Sequence, residues 1–404
     1  MKEDGSFADT LDLPEEGYYT LVVGNEITSL YLEPESSNSV NLNTAEFDES
    51  LKYSGDNAAE NNYLAQKFLL SEKIGINPRD MATMSEDSLI MIVDKNEQQY
   101  LALLNKNKEM DSAFVALESK GLQYQNRLNR EMYGLYSQNK YYESEGEAPS
   151  TAKLLGEEID LDNAEDYENY SDYQQLVSLD FYKQTSLLNP EDTTSYTDKA
   201  FAYLENVKSE NIKNDLLRQI AYRIRPGAEN NEEIYERVMA VSSDEEFKDE
   251  LSDKFEKIQK LQEGNPSPTF TYENHAGGET ALTDLQGKYV YIDVWATWCG
   301  PCLAQIPALK EVEEEYKGKN IHFVSLSIDT DEDYEKWKKM VNEKELGGIQ
   351  VIADNAWESD FVEDYAIDGI PRFILLDPEG NIVSADAPRP TMPELRELFE
   401  SEGI

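Results

Sequence analysis

Two cysteines separated by two residues carry the most specific chemistry in this chain. Cys299 and Cys302 are the only cysteines in 404 residues, and they lie in the segment Trp295-Ala-Thr-Trp-Cys-Gly-Pro-Cys302. Thiols at this spacing reach each other across one helical turn, so one can attack a disulfide and the other can release the mixed disulfide. The spacing therefore predicts a redox-active pair.

The residues around the pair indicate which cysteine attacks. An apolar, strand-like run from Tyr289 to Trp295 comes first, and a helix is expected to begin near Cys299. Free backbone N–H groups and the helix dipole stabilise a thiolate at a helix N-terminus. Cys299 is therefore predicted to be the exposed nucleophile and Cys302 the shielded resolving thiol. Gly300 permits close approach of another backbone. Pro301 suits the first turn of the helix, because the backbone N–H that proline lacks would have no partner within the helix there.

A zinc site is the main alternative for a cysteine pair of this spacing. A structural zinc ion needs four ligands, which are usually supplied by a second cysteine pair or by two histidines. The chain has no second pair, and its only histidines, His275 and His322, fall in strand- or loop-like segments. We therefore predict neither a metal nor a cofactor.

An acidic motif, Asp329-Thr-Asp-Glu-Asp333, resembles the start of a calcium-binding loop. The sixth position is Tyr334 where such a loop needs glycine, and the twelfth is Met340 where it needs glutamate. Acidic residues at the start of a helix explain this motif better, because they interact favourably with the helix dipole.

The charge of the chain excludes several classes of partner. The formal net charge is −46, and a surface this acidic repels phosphate backbones and anionic lipid headgroups. Nucleic acid is therefore not a predicted partner. No segment approaches the roughly 18 consecutive apolar residues of a membrane span, so contact with a membrane is expected only through a lipid anchor.

Changes of periodicity divide the chain into four predicted segments, which make it a multidomain protein. Residues 1–17 are expected to form a flexible acidic tail, and residues 18–55 a small β-subdomain of short strand-like runs. Residues 56–264 have helical periodicity and are predicted to form an all-α domain of six to eight helices. After the Pro-rich segment Gly264-Asn-Pro-Ser-Pro268, strand-like and helical segments alternate from 265 to 404.

Alternation of strands and helices favours an α/β domain in which helices cover both faces of a mostly parallel sheet. The predicted strands are 289–295, 321–328, 350–352 and 373–376, and the predicted helices are 302–316, 334–344, 358–365 and 392–400. A hairpin turn is expected at Glu379-Gly-Asn381.

Residues 265–404 resemble the thioredoxin superfamily. The Trp-Ala-Thr-Trp-Cys form of the motif, preceded by Leu285-Gln-Gly-Lys-Tyr-Val-Tyr-Ile-Asp293, is similar to the TlpA/ResA-like branch of extracytoplasmic thiol–disulfide oxidoreductases. The resemblance implies a thioredoxin-like fold with a central mixed sheet, protein thiol or disulfide substrates and an upstream thiol reductant. It also implies a location in the periplasm or cell envelope, although the residues alone leave a cytoplasmic location open.

The same resemblance assigns roles to residues outside the cysteine pair. Asp293 stands at the position of a buried carboxylate that deprotonates Cys302, and Pro371 stands at the position of a cis-proline that faces the cysteines. The backbone before that proline, at Ile370, would hold the substrate. Further substrate contacts are implied at Trp298, Gly300 and Pro301.

One position departs from the branch. The helix after the cysteines carries a proline at Pro307, as the family does, but Gln305 replaces a glutamate that many members have. Because glutamine exchanges no proton, acid–base chemistry is assigned to Asp293 alone. Residues 329–366 resemble the extra helix and strand that are typical of this branch.

The upstream β-segment and helices are similar to envelope lipoproteins of Bacteroidetes-type bacteria. This weaker resemblance implies that a lipid-modified cysteine once preceded Lys2 and was removed with a signal segment.

The predicted function is thiol–disulfide exchange in the cell envelope, most simply the reduction of protein disulfides, with antioxidant activity as a consequence. The Gly-Pro spacer favours a reductant, since thioredoxin has a potential of about −270 mV. Two alternatives stay open at this point: a peroxiredoxin-like peroxidase, and a non-enzymatic envelope binding protein with a redox-sensing domain.

Overall fold

The computed structural model describes residues 5–81, 83–142, 158–186 and 192–404. The chain forms two compact units, Met1–Ile212 and Lys213–Ile404. The first four residues of the predicted acidic tail lie outside the described part, and the predicted division into four segments stays a prediction. Within the described ranges, none of the helices has the length and apolar character that crossing a membrane requires.

Two antiparallel hairpins form the described β-structure of the first unit. Strand β1 (Gly17–Val23) pairs with β2 (Glu26–Leu32), and β3 (Asn38–Asn41) pairs with β4 (Lys52–Gly55). All four strands lie within the predicted β-rich region or one residue before it, but β4 was not predicted because its four residues show little alternation.

Helices form most of the other described structure up to residue 260, and the first of them lies between β3 and β4. They are Phe47–Ser50, Ala58–Ile74, Pro78–Met81, Glu86–Leu104, Ser112–Tyr142, Ala164–Asn169, Ser171–Thr185, Tyr196–Leu204, Glu210–Ala221, Asn231–Val241 and Glu245–Lys260. The helix Glu86–Leu104 shows why they form: its buried residues recur at helical spacing, at Leu89, Val93, Tyr100 and Leu104. Ser85 caps its N-terminus by accepting a hydrogen bond from the Ser88 N–H at 3.3 Å.

A seven-stranded sheet forms the core of the second unit. The strands are β5 (Thr271–Asn274), β6 (Glu279–Ala281), β7 (Tyr289–Trp295), β8 (Ile321–Ser327), β9 (Ile349–Ile352), β10 (Arg372–Leu376) and β11 (Ile382–Ser384). Their order across the sheet is β11-β10-β7-β8-β9-β5-β6. The helices after residue 260 are Gly300–Glu315, Tyr334–Glu343, Asp360–Asp364 and Glu394–Ser401, with short 3₁₀ turns at Leu282–Leu285, Asp331–Asp333 and Ala356–Glu358.

The sheet is mixed, as the family resemblance implies. Only β7 with β8 and β8 with β9 run parallel, and the other four pairs are antiparallel. The expectation of a mostly parallel sheet is therefore wrong. Short hairpin connections at β5–β6 and β10–β11 impose antiparallel pairing, and strands of three to five residues are too short to reveal this from periodicity.

Strand β7 lies near the centre of the sheet and positions the cysteine pair. It runs parallel to β8 from Tyr289 opposite Ile321 to Trp295 opposite Ser327, and antiparallel to β10 on its other side. Tyr291 belongs to one buried apolar cluster and Ile292 to another, because alternate strand residues point to opposite faces. The bounds of β7 match the prediction residue for residue.

Candidate active site

The cysteine pair lies directly after β7, where the helix Gly300–Glu315 begins. Cys299 is the N-cap residue of this helix, and its Sγ accepts a hydrogen bond from the Cys302 N–H at 3.1 Å. The two cysteines form a disulfide with their Cα atoms 5.3 Å apart. Pro301 occupies the first helical turn and Pro307 lies inside the helix. The site is therefore seen in its oxidised state.

The expected difference in exposure between the two cysteines is not found in this state. Cys299 is 4% exposed and Cys302 is 3% exposed, so the prediction of an exposed Cys299 is wrong for the disulfide. Both side chains belong to a buried apolar cluster that also contains Trp295 and Ala296. Each sulfur is therefore shielded by its partner sulfur and by that cluster.

Exposed surface at the site comes from the residues beside the cysteines. Trp298 is 48% exposed, and Gly300 and Pro301 are also exposed. The Trp298 ring lies near that of Trp357, which is 38% exposed, with 6.4 Å between the ring centroids and an angle of 41° between the planes. Sequence reasoning missed Trp357, because a single tryptophan in the segment 329–366 forms no recognisable motif.

The Ile370–Pro371 peptide bond is cis, as the family resemblance implies. Pro371 directly precedes β10, whose first residue, Arg372, lies opposite Val294 in β7. Ile370 packs against the apolar cluster that contains both cysteines. The pairing of β10 with β7 therefore brings the proline loop to the same end of the sheet as the disulfide.

Helices before the sheet hold this proline loop within the second unit. The Lys254 Nζ forms an ion pair with Asp368 Oδ2 at 2.8 Å and lies 5.7 Å from the centroid of the Tyr222 ring. A Cβ atom at Gly369 would lie 3.5 Å from the Tyr222 hydroxyl oxygen. The sequence predicted these helices only as scaffold, and nothing in their spacing marks the contact with the loop.

Asp293 lies in β7 and is 7% exposed. Burial raises the pKa of its carboxyl to about 8, and the negative charge of Glu313 adds to this effect. Asp293, Glu313 and Cys302 line one small cavity. A carboxyl group that titrates near neutral pH can accept a proton from a thiol, so the arrangement suits general base chemistry at Cys302.

A second buried carboxylate, Asp329, fixes the turn that precedes Cys299. It accepts hydrogen bonds from the Thr297 N–H at 3.0 and 3.1 Å, from the Thr297 hydroxyl at 2.7 Å and from the Ser327 hydroxyl at 2.6 Å. The explanation of the acidic motif as the start of a helix therefore fits Asp331–Asp333, which precedes the helix Tyr334–Glu343, but is wrong for Asp329.

Gln305, which replaces the glutamate that many members of the branch have, forms hydrogen bonds within the fold. Its side-chain oxygen accepts hydrogen bonds from the Thr391 N–H at 3.3 Å and from the Thr391 hydroxyl at 3.0 Å. The glutamine therefore ties the active-site helix to the segment before the last helix, and it takes no part in proton exchange.

Comparison with known proteins gives the class to which this fold and site belong. The family model described as Redoxin matches residues 262–398. The thiol-disulfide oxidoreductase ResA of Bacillus cereus is 29% identical over 146 residues, which is 36% of this chain and 82% of the relative. ResA of Bacillus anthracis is 31% identical over 125 residues, which is 31% of this chain and 69% of the relative.

A solved structure of the thioredoxin domain of a thiol-disulfide oxidoreductase from Bacteroides vulgatus is also similar. It is 32% identical and covers 35% of this chain and 98% of that one, with a TM-score of 0.32. The chain belongs to the TlpA/ResA-like family of thiol–disulfide oxidoreductases in the thioredoxin superfamily.

Proposed function

We propose that this oxidoreductase reduces disulfides in protein substrates through Cys299 and Cys302. The observation that carries the proposal is the disulfide between these residues at the N-terminus of the helix Gly300–Glu315. A pair that forms this bond can also exist as a dithiol, and the two states differ by the two electrons that reduce a substrate.

In the first step, Cys299 attacks a sulfur of the substrate disulfide. The Cys302 N–H that donates to Cys299 Sγ at 3.1 Å would stabilise the negative charge of a thiolate, as would the helix dipole. A new bond forms between Cys299 and the attacked sulfur. The substrate disulfide breaks, and its other sulfur leaves as a thiolate that takes a proton from solvent.

In the second step, Cys302 resolves the mixed disulfide. Its thiol proton passes to the Asp293 carboxylate, which shares a cavity with it, and its sulfur then attacks Cys299. The Cys299–Cys302 disulfide forms, and the bond from Cys299 to the substrate breaks. The second substrate sulfur leaves as a thiolate that takes a proton from solvent, and Asp293 returns its proton to solvent, so the substrate is fully reduced. An upstream thiol reductant must return the enzyme to the dithiol.

The substrate would bind over the exposed surface beside the disulfide. Trp298 supplies apolar contact area at 48% exposure, and Gly300 and Pro301 are exposed beside it. The backbone at Ile370, directly before Pro371, would hydrogen-bond to an extended segment of substrate, as the resemblance to the thioredoxin superfamily implies.

The direction of the reaction and its location rest on the motif. A Gly-Pro spacer like that of thioredoxin favours a potential near −270 mV, well below the value of about −120 mV of the oxidant DsbA. The similarity of Trp295-Ala-Thr-Trp-Cys299 to the extracytoplasmic branch supports a place in the cell envelope.

Two assays test this function. The dithiol enzyme is expected to reduce insulin disulfides, and equilibration with glutathione is expected to give a potential below about −200 mV. A potential above about −150 mV would make the protein an oxidant. Consumption of peroxide with no reduction of insulin would favour a peroxidase in its place.

A further inference from the structure

A small cavity connects the resolving cysteine with a second carboxyl group that the mechanism above does not use. Cys302, Asp293 and Glu313 all line it, and its free space is about that of one water molecule. Trp295 and Gln350 also line it, and each carries a buried polar atom, Nε1 and Oε1 respectively, without a hydrogen-bond partner in the described part of the chain. The cavity is therefore polar as well as enclosed.

The position of Glu313 is fixed by two glycines. Glu313 lies near the end of the helix Gly300–Glu315, and its carboxylate lies against the loop that leads into β9. A methyl group at Gly347 would overlap Glu313 Oε2, and one at Gly348 would come within 3.0 Å of Oε1. Side chains at these two positions would therefore displace the carboxylate from the cavity.

The charges around the cavity give the two carboxyl groups different protonation states. Partial burial raises the pKa of Glu313 to about 6, while the Lys310 ammonium opposes this rise. The pKa of Asp293 is about 8. At neutral pH Glu313 is therefore mostly ionised, whereas most of Asp293 is protonated, and its ionised fraction is the form that can accept a thiol proton.

Few other titratable groups face this pair. Lys310 is on the same helix as Glu313 and donates a hydrogen bond to the Lys344 carbonyl oxygen. Tyr291 in β7 interacts with Asp293, and Phe373 lies opposite Asp293 in β10. The remaining residues that line the cavity do not titrate: Trp295, Ile306, Leu309, Ser325, Leu346, Gly347 and Gln350.

We propose that Glu313 is a positioning residue for the proton transfer between Cys302 and Asp293. Its negative charge across the cavity makes the Asp293 carboxylate more basic, so that this carboxylate takes the thiol proton when Cys302 attacks Cys299. The inference rests on the proposed function and deepens it by adding a residue that acts through Asp293. It explains how a chain with Gln305 in place of a glutamate keeps a second acidic group at its site.

The test measures the reduction potential of the Cys299–Cys302 disulfide against pH. The potential changes its slope at the pKa of a group whose protonation is coupled to the disulfide. We expect a break near pH 8 in the wild type, no such break in Asp293→Asn, and a break about one pH unit lower in Glu313→Gln.

Matched variants separate charge from packing. Glu311→Gln makes the same charge change at an exposed position of the same helix and should leave the break in place. Glu313→Asp keeps the charge and should keep most of the wild-type value. Gly347→Ala displaces the carboxylate and should lower the break, and it serves as the second variant if Glu313→Gln fails to fold.

An unchanged break in Glu313→Gln and Gly347→Ala would overturn the proposal. The measurement uses glutathione and needs no protein substrate, so it stays valid if insulin is not reduced. A failure of the proposed function and a failure of the role of Glu313 are therefore distinguishable.

Discussion

Two buried carboxylates flank the active-site turn, and they differ in what surrounds them. Asp329 is 2% exposed and accepts hydrogen bonds from Thr297 and Ser327. Asp293 is 7% exposed and lines a small cavity that Glu313 also lines. The negative charge of Glu313 helps to raise the pKa of Asp293. Hydrogen-bond donors stabilise a buried negative charge, whereas burial near a like charge disfavours it. Burial alone therefore does not assign a role to an acidic residue.

The different surroundings of the two carboxylates suit them to different roles, one in positioning the active-site turn and the other in proton transfer. Asp329 joins the end of β8 to the turn that carries Cys299, so it holds this turn in place. Asp293 has a pKa of about 8, so it can exchange a proton during turnover. Asp293 lies in β7 and Asp329 lies two residues after the end of the neighbouring strand β8, so burial and position alone would not distinguish them.

The largest expected effect is a change in how stability depends on pH in Asp293→Asn. The folded protein holds the Asp293 proton up to about pH 8, whereas the unfolded chain loses it near 3.8. Between these values the folded state binds more protons, so this group lowers the free energy of unfolding by up to about 1.4 kcal/mol per pH unit as pH rises.

Asp293→Asn removes this loss, so the variant is expected to exceed the wild type in stability by several kcal/mol above pH 8. Urea unfolding of the oxidised protein from about pH 4 to about pH 9 measures the difference. The matched variant Asp329→Asn should show no such gain. A wild type that is at least as stable as Asp293→Asn at pH 9 would contradict the assignment.

Asp329→Ala is expected to give the next largest effect, with the opposite sign. The substitution leaves the Thr297 N–H and the Thr297 and Ser327 hydroxyls buried without their acceptor. Hydrogen bonds to a charged group contribute about 1.5–3 kcal/mol each, so the free energy of unfolding should fall by about 3 kcal/mol or more. A loss below about 1 kcal/mol in the same urea titration at pH 7 would show that the network does not anchor the turn.

The family resemblance pointed to Asp293, whose role as a base stays a prediction, whereas the sequence named Asp329 only as part of an acidic motif and did not predict its hydrogen bonds. Asp293 stands at a fixed distance from the cysteine motif, and the bounds of β7 follow from its apolar run. The role of Asp329 depends on the pairing of β7 with β8, which brings it to Thr297 across 32 residues. Contacts of this range leave no periodic pattern in the chain.

Other parts of the site escaped prediction for similar reasons. Glu313 reads as one of several glutamates in a helix, and only the fold places it at the cavity with Asp293. Trp357 approaches Trp298 through a turn outside any motif. The exposure predicted for Cys299 assumed a free thiol, whereas the disulfide leaves both cysteines almost completely buried.

The central claim is that Cys299 attacks and Cys302 resolves, and trapping of the mixed disulfide tests it most directly. Each of Cys299→Ser and Cys302→Ser is mixed with a disulfide-bonded protein such as insulin, and intact mass is measured after acid quenching. Cys302→Ser is predicted to accumulate one covalent adduct at Cys299, because nothing releases it. Cys299→Ser is predicted to form none. Equal adducts in both variants, or an adduct only at Cys302, would contradict the account.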